Sequence, residues 1–183
     1  MVAGSQLVNN GEQVPMALIS KACATPGNLQ AGGMRAVIQR VLEASVSVHG
    51  RQIAVIGRGL LVLLGVEDRD DAGDVAWLAP KLAKMRIFSD AEGKMNLSVA
   101  ETGAGVIVVS QFTLHASTHK GNRPSFIRAA APAHSEPLYE AFCSAMEAQL
   151  GKPIGRGSFG ADMQVALVND GPVTLVVDTR QRE

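Results

Sequence analysis

From Met34 onward, apolar residues come in short β-branched blocks separated by turn-forming residues. Residues 35–41, 44–48 and 52–56 are three such blocks, the last two joined by His49-Gly50-Arg51, a three-residue hairpin connection containing glycine. The domain is therefore expected to open with antiparallel strands. Residues 59–66 (GLLVLLGV) are apolar at almost every position, which predicts a central strand covered on both faces. Over residues 74–85, Val75, Leu78, Leu82 and Met85 recur at helical spacing, with Asp70, Asp71 and Asp74 near the start, where the helix dipole favours negative charge. Pro80 removes one backbone hydrogen bond from that helix, at about 3 kcal/mol if unrelieved, and predicts a bend or break. Residues 106–114 read as another buried strand. Ser135, followed by Pro137, opens a second helix with Leu138, Phe142, Met146 and Leu150 facing inward and Cys143 in the packing beside them. Residues 163–168 and 173–177 are two further strands bracketing Asn169-Asp170-Gly171-Pro172, reached through a glycine-rich loop at 151–160.

Strands outnumber helices, and two helices cannot cover both faces of so large a sheet. The expected fold is α+β, within the broad α/β class: two packed or barrel-like, mostly antiparallel sheets with the helices on one side. No internal repeat is visible. At 183 residues, with 46% hydrophobic, the chain can bury one substantial core, so a single domain over residues 34–180 with a short tail at 181–183 is expected. Residues 1–33, rich in Gly, Asn, Gln and Ser and ending in Ala31-Gly32-Gly33, read as a disordered extension that carries no chemistry, with Met34 as a second candidate start. They have the pattern of neither a signal peptide nor a membrane span, and no membrane association is expected.

Charge narrows the partners. Lys plus Arg equals Asp plus Glu at 17 each, so no global positive field exists and any RNA contact must be local. Cys23 and Cys143 lie far apart, giving no disulfide framework and no zinc pattern, which fits a reducing, cytoplasmic setting.

The densest chemistry lies in Ser110-Gln-Phe-Thr-Leu-His-Ala-Ser-Thr-His-Lys-Gly-Asn-Arg-Pro-Ser-Phe126, where hydroxyls, amides, imidazoles and cations gather around the end of a buried strand. Its plainest reading is a solvated strand exit. His115 and His119 are four apart, but Gly121 and Pro124 follow and no carboxylate lies between them, so a metal site is not expected. There is no GxSxG, which argues against a serine-hydrolase triad. Asn169-Asp170-Gly171-Pro172 reads as a hairpin turn. The isomer of its Gly-Pro bond stays open, because X-Pro bonds favour trans by only about 0.5–1 kcal/mol.

Several strings resemble the D-aminoacyl-tRNA deacylase family: MRAVIQRV at Met34, KMNLS at Lys94, SQFTL at Ser110, KGNRPSF at Lys120, FGADMQV at Phe159 and NDGPVT at Asn169. SQFTL with NDGPVT, in this order, is a specific combination. The resemblance implies a homodimer in which a cis Gly171-Pro172 motif projects from one subunit into its partner's pocket, so that carbonyl oxygens occupy the space an L side chain needs. D-aminoacyl-tRNA would be hydrolysed, as would glycine mischarged on tRNA-Ala, while the L-aminoacyl pool would be spared.

By the same resemblance, Arg40 supports the Gly-Pro motif. Thr113 forms the pocket floor beside Ser110, Gln111 and the Phe112 amide, and positions substrate rather than attacking it. Phe159, Ala161 and Met163 would line the terminal adenosine, and Lys84, Arg86, Lys94, Lys120 and Arg123 could meet acceptor-end phosphates. An aminoacyl ester is already activated, so aligned water, N–H donors and the ribose 2′-hydroxyl would suffice, without cofactor or metal. Pro80, His119 and the residues before Met34 depart from the family pattern. Two other readings stay open: a non-catalytic tRNA-binding dimer, and a hydrolase of free D-amino-acid esters.

Overall fold

The computed structural model describes residues 33–182, and apart from Gly33 the expected disordered extension lies outside them. The first two apolar blocks merge into one strand, β1 (Arg35–Val48). It turns through His49 and Gly50, with φ of 49° and 75°, into β2 (Arg51–Ile56). The connection is thus two residues rather than three, since Val48 already pairs with Arg51; positive φ at both positions is what such a primed turn requires.

β3 (Gly59–Gly65) lies between β1, antiparallel, and β6 (Gly105–Ser110), parallel. It is the expected central strand: Leu60, Val62 and Leu64 face one core and Leu61 the other. Its first residue must be glycine, because a Cβ at Gly59 would lie 2.0 Å from the Gly105 carbonyl oxygen. With β7 (Gly155–Arg156) beyond β6 and β8 (Met163–Asp178) along the other edge of β1, the six-stranded sheet runs β2-β1-β3-β6-β7 and curls into a nearly closed, barrel-like layer. A small ribbon, β4 (Arg86–Ser89) with β5 (Met95–Ser98), completes the strands among the described residues.

The helices cover one side only. α1 (Ala72–Ala83) and α3 (Pro132–Leu150) supply Val75, Leu78, Leu82, Tyr139, Phe142 and Met146 to a core shared with Ala36, Ile38, Val62 and Val108. The inner face of the curl holds a second core of Val41, Ala44, Val46, Ala54, Leu61, Ile107 and Val109. β1 serves both, because register shifts between Gln39 and Glu43 change which residue parity points inward. Between the ribbon and β6 lies a single turn of helix, α2 (Val99–Thr102), capped by Ser98.

Asp71 caps α1: its carboxylate accepts from the Gly73 amide at 2.7 Å while Asp74 accepts from the Asp71 amide at 3.0 Å. The helix runs unbroken through Pro80, which sits in its last turns, so of the expected bend or break the break does not occur. α3 begins at Pro132 and not at Ser135, because proline at the first helical position is pre-set in φ and lacks only an N–H that would have no partner. Pro137 consequently falls inside the helix, and Ser135 Oγ donates to the Ala131 carbonyl at 3.1 Å. At the chain end, where a tail is expected, the Arg182 guanidinium stacks 4.7 Å from the Trp77 ring centroid.

Two expected elements change character. The strand expected to reach Leu114 stops at Ser110, and Phe112–His115 form a 3₁₀ turn. Asn169-Asp170-Gly171-Pro172 is no hairpin: β8 keeps one direction along β1, with Val41 opposite Asn169 and Gln39 opposite Thr174. Residues 170–173 bulge out opposite Arg40, since both flanks pair with the same strand and the chain never reverses.

Candidate active site

Where β6 ends, the Gln111 amide donates to the Leu64 carbonyl at 2.7 Å, which ties the 3₁₀ turn to the end of β3. Within the turn, Gln111 Nε2 donates to Thr113 Oγ1 at 2.6 Å. Arg35 donates to the Leu114 carbonyl at 2.8 Å while pairing with Asp178 at 2.9 Å. Burial alone would raise the Asp178 pKa, but amides of Arg180 and Gly33 and the Arg35 guanidinium outweigh it and hold the carboxyl below its ordinary range.

Over this turn opens a cavity of about 630 Å³. Ser110, Gln111 and Phe112 line its floor, and Phe159, Ala161 and Met163 line one wall. A second part of the lining comes from Phe126, the segment Ala129-Ala130-Ala131 and Pro132, with Tyr139 from α3 packed 6.0 Å from the Phe159 ring. Phe126 meets Phe112 edge-on, with ring centroids 5.2 Å apart at 76°. The Tyr139 hydroxyl lies between the carbonyls of Val108 (3.0 Å) and Gly157 (3.2 Å), and burial pushes its phenol well above the usual range.

Behind the floor sits a buried polar cluster. His115 is 1% exposed, with Nδ1 3.4 Å from Glu67 Oε1. That same oxygen accepts from Arg128 Nε at 3.0 Å and from its terminal nitrogen at 2.7 Å. Burial lowers the pKa of His115 below its ordinary value; the Arg35 and Arg128 charges add to this and Glu67 opposes it.

The bulge lies apart from the lining of this cavity. Gly171 and Pro172 are exposed, and their peptide bond is cis. Arg40, 7% exposed, pairs with Asp170 Oδ2 at 2.8 Å, and donates from Nε to the Asp170 carbonyl at 3.2 Å and from a terminal nitrogen to the Ile87 carbonyl. Asn169 Nδ2 donates to the carbonyls of Arg40 (2.9 Å) and Val173 (3.2 Å).

Six candidates from sequence, Ser110, Gln111, Phe112, Phe159, Ala161 and Met163, thus share one cavity, with Thr113 bonded to its floor. Arg40, Gly171 and Pro172 form a second group at the bulge. The phosphate candidates are dispersed: Lys84 and Arg86 lie beside Trp77, Lys94 pairs with Glu92 at 2.9 Å, and Lys120 and Arg123 are exposed in the loop after the turn, as is His119. Sequence reading missed Tyr139 and the wall from Phe126 to Pro132. A lone tyrosine on the buried face of a helix was the one available signal, since a buried phenol needs a partner. Among the described residues, no group of three or more His, Cys, Asp or Glu could hold a metal ion, and no helix is long and apolar enough to cross a membrane.

The chain is similar to known proteins over most of its length. The family described as D-Tyr-tRNA(Tyr) deacylase matches residues 37–178. The chain is 61% identical to the D-aminoacyl-tRNA deacylase of Opitutus terrae and 59% to that of Akkermansia muciniphila, each over 150 residues, 82% of this chain and 100% of the relative. Among solved structures it is similar to the c-Myc DNA Unwinding Element Binding Protein, at 40% identity and a TM-score of 0.74 over 79% of this chain and 97% of that one. A second, described as a probable eukaryotic D-amino acid tRNA deacylase, shares the fold at 20% identity and a TM-score of 0.69 over 79% of this chain and 98% of that one. The class so defined is a hydrolase acting on ester bonds. The chain belongs to the D-aminoacyl-tRNA deacylase family.

Proposed function

We propose that the enzyme works as a homodimer with composite active sites, in the cytoplasm, on the acceptor end of aminoacylated tRNA. The observation that carries this reading is the separation of its two motifs. The cavity over Gln111-Phe112-Thr113 offers donors from Gln111 and the main chain, whereas the Gly171-Pro172 bulge lies outside its lining, is exposed and is braced by Arg40. Seated in a partner's cavity, the bulge would place main-chain oxygens where an L side chain must go. D-residues would pass, and so would glycine, including glycine mischarged on tRNA-Ala.

In this reading the Phe112 amide stabilises the developing oxyanion, while Gln111 holds the Thr113 hydroxyl that orients the ester. Phe159, Ala161 and Met163 would offer apolar surface to the terminal adenosine, and Lys120 and Arg123, exposed on the loop before Phe126, would meet phosphates. The 2′-hydroxyl of the terminal ribose assists the attacking water, so neither cofactor nor metal is required.

Sedimentation of wild-type protein, followed by mild oxidation of a mixture of the Pro172→Cys and Ala161→Cys variants, tests the arrangement. A dimer joined by a disulfide between the two different variants is expected. A monomer, or a dimer in which these positions never cross-link, would overturn it. Binding of tRNA without ester release would favour a non-catalytic dimer, and failure of uncharged tRNA to compete would favour a hydrolase of free esters.

A further inference from the structure

The cavity's second wall is anchored behind the surface to one carboxylate oxygen, which also lies against the end of the floor turn without a hydrogen bond to it. The floor turn, Phe112–His115, ends in His115, whose Nδ1 lies 3.4 Å from Glu67 Oε1. The wall segment belongs to no helix or strand. It is held by the Ala130 amide donating to the Val66 carbonyl at 2.9 Å, by a bridge between Glu67 and Ala129, and by Arg128, which directs two N–H donors onto Glu67 Oε1. Glu67 is 5% exposed, and its own amide donates to Asp70 Oδ2 at 2.7 Å, so its backbone is fixed from the far side.

A buried carboxylate without compensation would be costly, and two guanidinium donors at 2.7 and 3.0 Å supply that compensation. The consequence is geometric. Arg128 can satisfy Glu67 only while the wall is docked, and the docked wall places Phe126 edge-on against Phe112, the residue whose amide points to the reacting centre in the reading above.

We propose that Glu67 and Arg128 are positioning residues for the deacylation site: their pairing docks the wall segment so that Phe126 packs edge-on against Phe112, and thereby fixes the Phe112 amide and Thr113 relative to the ester. The role rests on the function proposed above but touches neither substrate nor reacting atoms. Misplacing a floor donor by a fraction of an ångström weakens stabilisation of the transition state more than binding of tRNA, which relies on phosphates elsewhere.

Arg128 is partly exposed, so Arg128→Ala is the first variant, with Glu67→Gln as the second. With D-tyrosyl-tRNA, Arg128→Ala is expected to lose kcat on the order of tenfold or more while KM changes by less than about threefold. Added guanidinium ion at millimolar concentration, filling the vacated place beside Glu67, is expected to restore part of that loss. Amide hydrogen exchange at residues 112–115 is expected to accelerate in the variant while β1 and β3 keep wild-type protection. Wild-type kcat together with wild-type exchange at these amides in Arg128→Ala would overturn this role, as would a kcat loss that guanidinium leaves unchanged. If wild-type protein itself releases no D-tyrosine, the functional reading fails, and the exchange measurement still decides whether the docked wall fixes the floor turn.

Discussion

Arg40 and Asp170 form an ion pair at 2.8 Å, and Arg40 also donates to the Asp170 main-chain oxygen at 3.2 Å. One nearly buried guanidinium therefore grips both side chain and backbone of the residue before Gly171. A bulge of four residues opposite one would otherwise have many conformations, and a rigid fork of donors selects one.

Replacing Arg40 should accordingly separate stability from selectivity. Arg40→Ala leaves a half-buried carboxylate and two carbonyls short of donors and is expected to cost about 3–5 kcal/mol in urea unfolding. Arg40→Lys keeps the charge but loses the fork, and is expected to cost about 1–3 kcal/mol. In that variant L-tyrosyl-tRNA hydrolysis should rise by about tenfold relative to D-tyrosyl-tRNA hydrolysis, as measured with the two charged tRNAs side by side.

Gly65 stands where β3 meets the floor turn, and a Cβ there would lie 3.0 Å from the Gln111 carbonyl oxygen and 3.0 Å from the His115 ring. Backbone on one side and a buried ring on the other leave little room to yield. Gly65→Ala is expected to cost about 1–3 kcal/mol and, by displacing Gln111, to lower kcat on the order of tenfold. Denaturant titration and single-turnover kinetics on the same preparation check both.

The single Tyr139 O–H is shared between two main-chain carbonyls, those of Val108 and Gly157, and ties α3 to the strand leading into the site. Tyr139→Phe removes that donor without changing shape. A loss of about 1–2 kcal/mol in the unfolding free energy is expected.

His115 gives a pH signature. Its folded-state pKa lies below the ordinary value of about 6.5, so between the two values the unfolded chain binds a proton that the folded chain resists. Its contribution to stability is present above the unfolded value and is lost as pH falls below about 6.5. Asp70, pushed up to about 6 by burial, works in the opposite direction as pH falls. Comparison with His115→Gln cancels the Asp70 effect: the urea midpoint of wild type relative to the variant is expected to drop between pH 7.5 and pH 5.5.

The readable parts of the sequence were those set by local pattern. The apolar run of β3 and the spacing of Val75, Leu78 and Leu82 gave a both-face strand and a one-sided helix, and both are present. SQFTL and FGADMQV marked residues that line one cavity. What was hidden depends on distant partners. The gap at Leu42 and Glu43 looks like a loop, because the register shift that carries β1 from one core to the other breaks alternation. Asn169-Asp170-Gly171-Pro172 has turn chemistry, and only pairing of both flanks with β1 makes it a bulge. Phe112 and Leu114 extend the apolar run of β6 on paper, although the Gln111 amide has already turned to Leu64. The wall from Phe126 to Pro132 has no periodicity at all and is placed by Glu67, more than fifty residues away in sequence.

Enantiomer discrimination is the most direct test. Purified protein, given D-tyrosyl-tRNA and L-tyrosyl-tRNA in parallel without added cofactor, should release D-tyrosine rapidly and leave the L-ester at its spontaneous rate. Equal hydrolysis of the two would contradict a site in which backbone oxygens stand in the place of one side chain.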